Sequence, residues 1–523
     1  MTGTLALVRA GLRRERVRIA VWIAGISLMV AISAESVRGI FPTQADLDKA
    51  AATSANPAIL AFQGPRFALD TLGGQVAFQI GAPGLVIMAL MAVLMTGRLT
   101  RAEEEAGRLE LLRALPVGRN ATIAAASVVV AGMSVAVGLV SAVSLIALGL
   151  PVAGSVAFGL GYTAVGAVFC GVTLVTAQVT DNHRLANGMA GTTLGVAYVL
   201  RAIGDMRDGT LSWLSPLGWA QYAKAYAGER WWPFLLSAAA AAGLAALAVA
   251  LQGRRDLGAG LVAARPGRAH ATPRLRTPFA LAVRLQRGSV IGWSAGAAAT
   301  AAVYGGLASA IKGFIKDNPQ IADFLAQAGG DLTDAYLATS ARITALIGCG
   351  YAIQSMLRLR SEETNDRTEP VLGTPVSRPR YWAAHLAVAA LGSLVVLLVA
   401  GLALGASAAI SVGDGSLAWR STVGMVSYLP ALLVMIAVAA LLVGMLPKLS
   451  NLGWVALAVT FVVAMFGPIL DLPKWVMRIS PFENLALVPA QPISLVATTT
   501  LAALAAVILA VSLVGYRRRD MFL

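Results

Sequence analysis

Charge is scarce in this chain: of 523 residues only 13% are Asp, Glu, Lys or Arg, while 57% are hydrophobic. A soluble domain carries about 25% charged residues, so an ordinary soluble enzyme is excluded. Cysteine is nearly absent. Cys170 and Cys349 lie far apart inside apolar runs, which excludes a disulfide framework or a cysteine metal site. The three histidines, His183, His270 and His385, offer little for metal or acid–base chemistry. No carboxylate falls near the middle of an apolar run, where a proton- or sodium-coupled carrier would need one. The phosphate-loop pattern G-x-x-x-x-G-K-[ST] is also missing, so the chain cannot bind ATP in that manner by itself.

Apolar sequence is abundant. Twelve stretches of spanning length run at about residues 18–35, 76–97, 121–148, 153–179, 185–204, 232–252, 289–311, 340–357, 381–409, 421–447, 450–470 and 495–516. Each is close to or above the ~20 residues that carry a helix across a hydrocarbon core. The net charge of +15 concerns orientation here, and no nucleic acid is expected. With both termini cytoplasmic, 28 of 41 basic residues but only 12 of 26 acidic ones lie inside, an excess of +16 against −1 outside. This is the positive-inside pattern of a multi-pass protein of the cell membrane.

The chain repeats itself. Arg101, Glu103, Glu104, Arg108, Glu110, Pro116, Val117 and Arg119 recur as Arg360, Glu362, Glu363, Arg367, Glu369, Pro375, Val376 and Arg378, at a constant offset of 259. Upstream, Arg13, Arg16 and Trp22 recur as Arg284, Arg287 and Trp293 at an offset of 271, so the first outer loop is longer by 12 residues. Downstream, Ser215-Pro216 and Arg254-Arg255-Asp256 return as Ser480-Pro481 and Arg518-Arg519-Asp520. The seventh stretch thus copies the first, which argues against reading the first as a cleaved signal. The expected architecture is an all-α integral membrane protein of 12 transmembrane helices in two parallel six-helix repeats. The first half covers 1–252, a Gly-, Pro- and Arg-rich cytoplasmic linker covers 253–283, and the second half covers 284–523.

The repeated segment reads as a short charged helix beneath the membrane. Thr100 and Glu103 have capping-box spacing, and Glu104 and Arg108 are placed for an i,i+4 ion pair. Pro370 predicts that the second copy ends or kinks earlier than the first. The turns at 181–184 and 447–450 offer a second cytoplasmic contact. Leu5, Val8 and Leu12 set opposite Arg9, Arg13 and Arg16 predict an interfacial amphipathic helix leading into the first span. Arg201, Asp205 and Arg342 are expected to snorkel from the outer ends of their spans, and Trp213, Trp219, Trp231 and Trp232 to mark the outer interface.

The string from Glu104 to Arg119, the LSPLGW around Ser215 and Trp219, Trp231-Trp232-Pro233 and the SPFEN at Ser480 resemble the permeases of ABC-2 (type V) exporters. The likeness is to actinobacterial permeases of polyketide-antibiotic and multidrug exporters, and it spans essentially the whole chain. The resemblance implies a permease subunit, not itself an enzyme, with no cofactor on this chain. Its partners would be two copies of a cytoplasmic ABC ATPase holding ATP and Mg, the lipid bilayer and a hydrophobic small-molecule substrate. It further implies coupling helices that dock on the ATPase: Glu103, Glu104, Arg108 and Glu110 in one half, and Glu362, Glu363, Arg367 and Glu369 in the other. Spans two and five of each half would face the pathway, nominating Phe78, Gln79, Met88, Met91 and Tyr198, with Tyr351, Gln354 and Met356 opposite. The alternative is a gradient-driven twelve-helix secondary transporter. A membrane scaffold that transports nothing is a third reading.

Overall fold

The computed structural model describes residues 2–53, 57–108, 116–256, 258–262, 270, 272, 275–309, 331–466 and 473–520. Among these residues the regular structure is entirely helical. The principal helices are α1 Thr4–Ile40, α2 Leu72–Leu99, α3 Ala121–Ala147, α4 Val152–Val179, α5 His183–Asp205 and α6 Trp232–Gln252. They continue as α7 Pro278–Gly306, α8 Leu332–Thr364, α9 Arg378–Val412, α10 Leu429–Met445, α11 Leu452–Phe466 and α12 Leu495–Arg518. Short side chains start several of them. Thr71, Asn182, Thr277, Asp331 and Ser494 each accept a hydrogen bond from a backbone N–H in the first turn.

Eight helices among the described residues are long and apolar enough to cross a membrane. They are α1, α2 extended to Glu105, α3, α4, α6, α9, α10 joined to the short helix Ser416–Val426 before it, and α12. The remaining apolar stretches fall in α5, α7, α8 and α11. In α5, α7 and α8, arginine and glycine dilute the hydropathy; α11, at 15 residues, is shorter than a typical spanning helix. The N-terminal amphipathic stretch is continuous with the first apolar run in one 37-residue helix. Leu5 and Leu12 remain exposed on it while Val8 is buried.

The chain divides into two compact units, Met1–Gly267 and Arg268–Leu523. In the first, α3 packs against α1 and α4, and α4 also packs against α2 and α6. In the second, α9 packs against α7 and α8, and α10 packs against α8 and α12. Small residues set the closest approaches. Gly138 of α3 and Gly159 of α4 face one another so tightly that a methyl group on either would overlap the other's carbonyl. Without a solvent-driven force between helices in lipid, this kind of close packing holds them together. Each unit has its own apolar interior, built around Met88, Met91 and Phe169 in the first and Tyr351, Leu432 and Ile436 in the second.

Candidate functional site

The repeated segment begins where α2 ends. Thr100 breaks the helix at φ −119° and ψ −90°, and a five-residue helix, Arg101–Glu105, follows. The capping box does not form: the Thr100 hydroxyl donates back to the Thr96 carbonyl at 2.6 Å. Glu103 instead takes Arg14 at 2.6 Å and Arg108 at 3.0 Å. The expected Glu104–Arg108 pair is likewise absent, because the helix stops at Glu105 and the i,i+4 geometry is lost. Glu104 turns inward, its side chain only 5% exposed, and binds Arg101 at 2.6 Å and Arg255 at 2.7 Å. It also accepts the backbone N–H of Gly258 at 2.8 Å.

The second unit builds the same frame. Glu363 is 2% exposed and pairs with Arg360 at 3.2 Å and with Arg519. Arg360 and Arg519 are the counterparts of Arg101 and Arg255 in the repeat. Arg119 donates to the Gly253 and Arg255 carbonyls, and its counterpart Arg378 donates to those of Arg517 and Arg519. In each unit, then, a carboxylate and an arginine fasten the elbow after the second helix to the end of the last helix. Glu362 adds pairs to Arg358 at 2.6 Å and to Arg367 at 3.9 Å.

The two elbows differ in shape. α8 runs unbroken through Glu362 and Glu363 and stops at Thr364, six residues before Pro370. Pro370 then sits in the first turn of the short helix Glu369–Leu372, where its missing N–H costs nothing. Arg108, Arg367 and Glu369 face solvent, whereas Glu104, Glu362 and Glu363 are held inside. Glu110 lies outside the described residues. The turn at 181–184 meets the first elbow directly: Glu105 accepts from the His183 backbone N–H and contacts its ring. Thr364, the counterpart of Glu105, bonds only within its own helix. The start of the connector also returns to this unit, with Leu261 and Val262 donating to the carbonyls of Gln178 and Val179.

The nominated pathway residues separate by environment. Met88, Met91, Tyr351 and Met356 are fully buried in the interiors of their own units. Phe78 lines a cavity of about 50 Å³ with Phe67, Phe158 and Tyr162. Gln79 is half-buried, and its side-chain carbonyl oxygen has no partner among the described residues. Tyr198 stacks under Arg201 at 4.5 Å and donates to the Phe62 carbonyl, while exposed Gln354 accepts from the Trp293 indole at 2.6 Å.

At the other end of the helices the charges do not snorkel. Arg201 and Asp205 are wholly buried and pair at 3.2 Å; Arg201 also donates to the Ala61 carbonyl, and Ser212 donates to Asp205 at 2.6 Å. The 3-10 turn Leu211–Leu214 folds over the pair and replaces the water a snorkelling side chain would reach. Arg342 pairs inward too, with Glu483 at 2.9 Å. Burial pushes the Glu483 carboxyl above its usual range, and Arg342 pulls the other way. Trp213 stacks on Trp232 at 5.0 Å, with Trp231 and Trp232 about half exposed. Removing one member of the Arg201–Asp205 pair strands a buried charge, at about 3–5 kcal/mol. Arg201→Met is therefore expected to lower the thermal midpoint in detergent sharply, and Arg201→Met with Asp205→Leu to recover most of the loss. A double variant as unstable as the single one would show that the pair is not the cause.

Sequence reading overlooked the partners of the elbow glutamates. Arg255 lies 151 residues from Glu104 and Arg519 lies 156 from Glu363. The signal was present in the recurrence of Arg-Arg-Asp, together with the preserved Arg119 and Arg378.

Eight long apolar helices among the described residues define a multi-pass membrane protein. Residues 275–517 match the family described as multidrug efflux system permease Rv1217c, C-terminal domain. The chain is similar to the multidrug efflux system permease protein Rv1217c of Mycobacterium tuberculosis, with 38% identity over 524 residues covering 99% of this chain and 95% of that protein. It belongs to this family of multidrug efflux permeases.

Proposed function

We propose that this protein is the transmembrane subunit of an ATP-driven exporter of hydrophobic or amphiphilic compounds. Separate ATPase subunits, two per permease, bind ATP and Mg and dock on the two elbows. Twelve spans in two parallel six-helix halves, joined by the linker 253–283, place both termini in the cytoplasm; α5, α7, α8 and α11 add four spans to the eight. The same helix pairings in each unit and the charge asymmetry of the loops support this arrangement.

The observation that carries the reading is the duplicated frame. Glu104 and Glu363 hold equivalent elbows rigidly against the last helix of their own units, so a push on the elbow is transmitted to that helix. Arg108, Arg367 and Glu369 remain outward as docking groups, with the buried glutamates as supports. The pathway residues are Phe78, Gln79, Met88, Met91 and Tyr198 with Tyr351, Gln354 and Met356, and those now in the interior become exposed as the halves rock.

The test is co-expression with candidate ABC ATPase subunits of the same organism, capture on this chain, and ATP hydrolysis in lipid with apolar drugs. The expected result is a complex of one permease with two ATPase copies whose hydrolysis a drug stimulates. Failure to capture the ATPase, combined with transport that follows an imposed proton gradient, would leave a secondary transporter instead.

A further inference from the structure

We propose that the first half carries a binding cavity for one acidic phospholipid, and that the second half has filled the same place with its own aromatic side chains. The cavity measures about 430 Å³ and lies between the first turns of α1, the elbow, the start of α3 and the ends of α4 and α6. That is the size of a small-ligand site. One wall is apolar, formed by Leu7, Ile123, Ala126 and Val129. The other carries Arg14, Arg101, Arg108 and Arg255 against only Glu103 and Glu104, a net charge of +2 among the described lining residues.

Arg14 and Arg108 have side chains 44% and 58% exposed, so their guanidinium groups can turn to an anionic group on the ligand. The apolar wall suits the first carbons of acyl chains. The outer side of α1 exposes Leu5, Leu12 and Val17, which places the cavity beside lipid at the level of the headgroups. Basic pockets between spanning helices on the cytoplasmic side are where acidic headgroups bind.

The repeat supplies the control. Thr122, Ile123 and Ala126 correspond to Tyr381, Trp382 and His385 at the offset of 259, and Gln252 corresponds to Tyr516 at 264. All four large side chains are at most 4% exposed, and Tyr381, Trp382 and Tyr516 pack with Met356 and Leu359. The Tyr381 and His385 rings lie 4.9 Å apart, and Arg519 lies 4.8 Å over Tyr516. The ion-pair frame is therefore built in both halves, but four positions that line the first half's cavity carry large buried side chains in the second.

The side of the membrane rests on the orientation proposed above, but binding is read on the purified chain without any ATPase, so the two readings fail separately. Native mass spectrometry of the full chain in detergent, titrated with phosphatidylglycerol or phosphatidylcholine of identical acyl chains, measures retention. Wild type is expected to hold one phosphatidylglycerol at a concentration at least tenfold lower than it needs for phosphatidylcholine. Ile123→Trp with Ala126→His, the second half's own residues, is expected to remove that preference. Arg14→Gln with Arg108→Gln keeps the cavity open and is expected to reduce the preference for phosphatidylglycerol. Equal retention of the two titrated lipids by wild type, or an unchanged preference in the filled variant, overturns the proposal. If the filled variant does not fold, an undiminished preference in the variant carrying Arg14→Gln and Arg108→Gln does so.

Discussion

Glu104→Gln together with Glu363→Gln is expected to leave the chain in the membrane but to free both elbows and, on the proposed coupling, to abolish capture of an ATPase. Each glutamate neutralises two arginines that have little access to water: Arg101 and Arg255 are 0% and 8% exposed, Arg360 and Arg519 28% and 12%. Removing one member of such a buried group costs about 3–5 kcal/mol, because the cations left behind keep their desolvation penalty. The cations of the first half are the more buried, so Glu104→Gln alone should be the more damaging single change. The backbone N–H of Gly258 donates to the Glu104 carboxylate and reports the loss directly. A local cost near 3 kcal/mol corresponds to amide exchange about 100-fold faster at that residue. Charge coupling is separable from mere disruption by a cycle of Glu104→Gln, Arg255→Gln and the double variant. The double variant is expected to lose less than the sum of the two single variants, since both single changes break the same Glu104–Arg255 pair, while Arg255 also donates to Gln178 at 2.7 Å. Strictly additive losses, or ATPase capture undiminished in the double glutamine variant, would remove the frame from the coupling path.

The apolar runs could be read from sequence because helix crossing of a hydrocarbon layer depends on summed hydrophobicity over some twenty residues, which neighbours in space do not change. Glu103, Glu104 and Arg108 show where that independence ends. Spacing rules for caps and i,i+4 pairs assume a helix of known extent, and the helix here stops at Glu105. Once it stops, Glu104 answers to Arg255 from the far end of its unit. Arg201 and Asp205 failed as a snorkelling pair for a similar reason. Their position at the end of an apolar run was correct, but Ser212 and its 3-10 turn cover them in three dimensions. The cavity beside α3 was still less legible. It exists because four positions in one half carry smaller side chains than their repeats, and residue size becomes a void only when the walls around it are fixed.

The position of Glu15 carries the second large expectation, and its size differs between the halves. Glu15 on α1 is fully buried and binds Arg14 at 3.2 Å, Arg18 at 2.6 Å and Arg98 at 2.9 Å. At the repeat offset its counterpart is Gln286, 3% exposed and accepting a hydrogen bond from Ser355. The counterparts of the three arginines are Leu285, Ser289 and Leu357. Glu15→Gln removes a charge whose partners are 44–53% exposed and can turn to water, so the expected cost is about 1–2 kcal/mol. Gln286→Glu introduces a carboxylate where Ser355 is the only polar partner described, and the expected cost is about 3 kcal/mol or more. The reciprocal exchanges, each installing the residue that the other half uses, are thus expected to be unequal, with the second far more harmful to the thermal midpoint in detergent. Adding Leu357→Arg, which restores the counterpart of Arg98, is expected to recover much of that loss. Equal losses from the two exchanges, or no recovery with Leu357→Arg, would show that these positions are set by packing and not by the cations beside them.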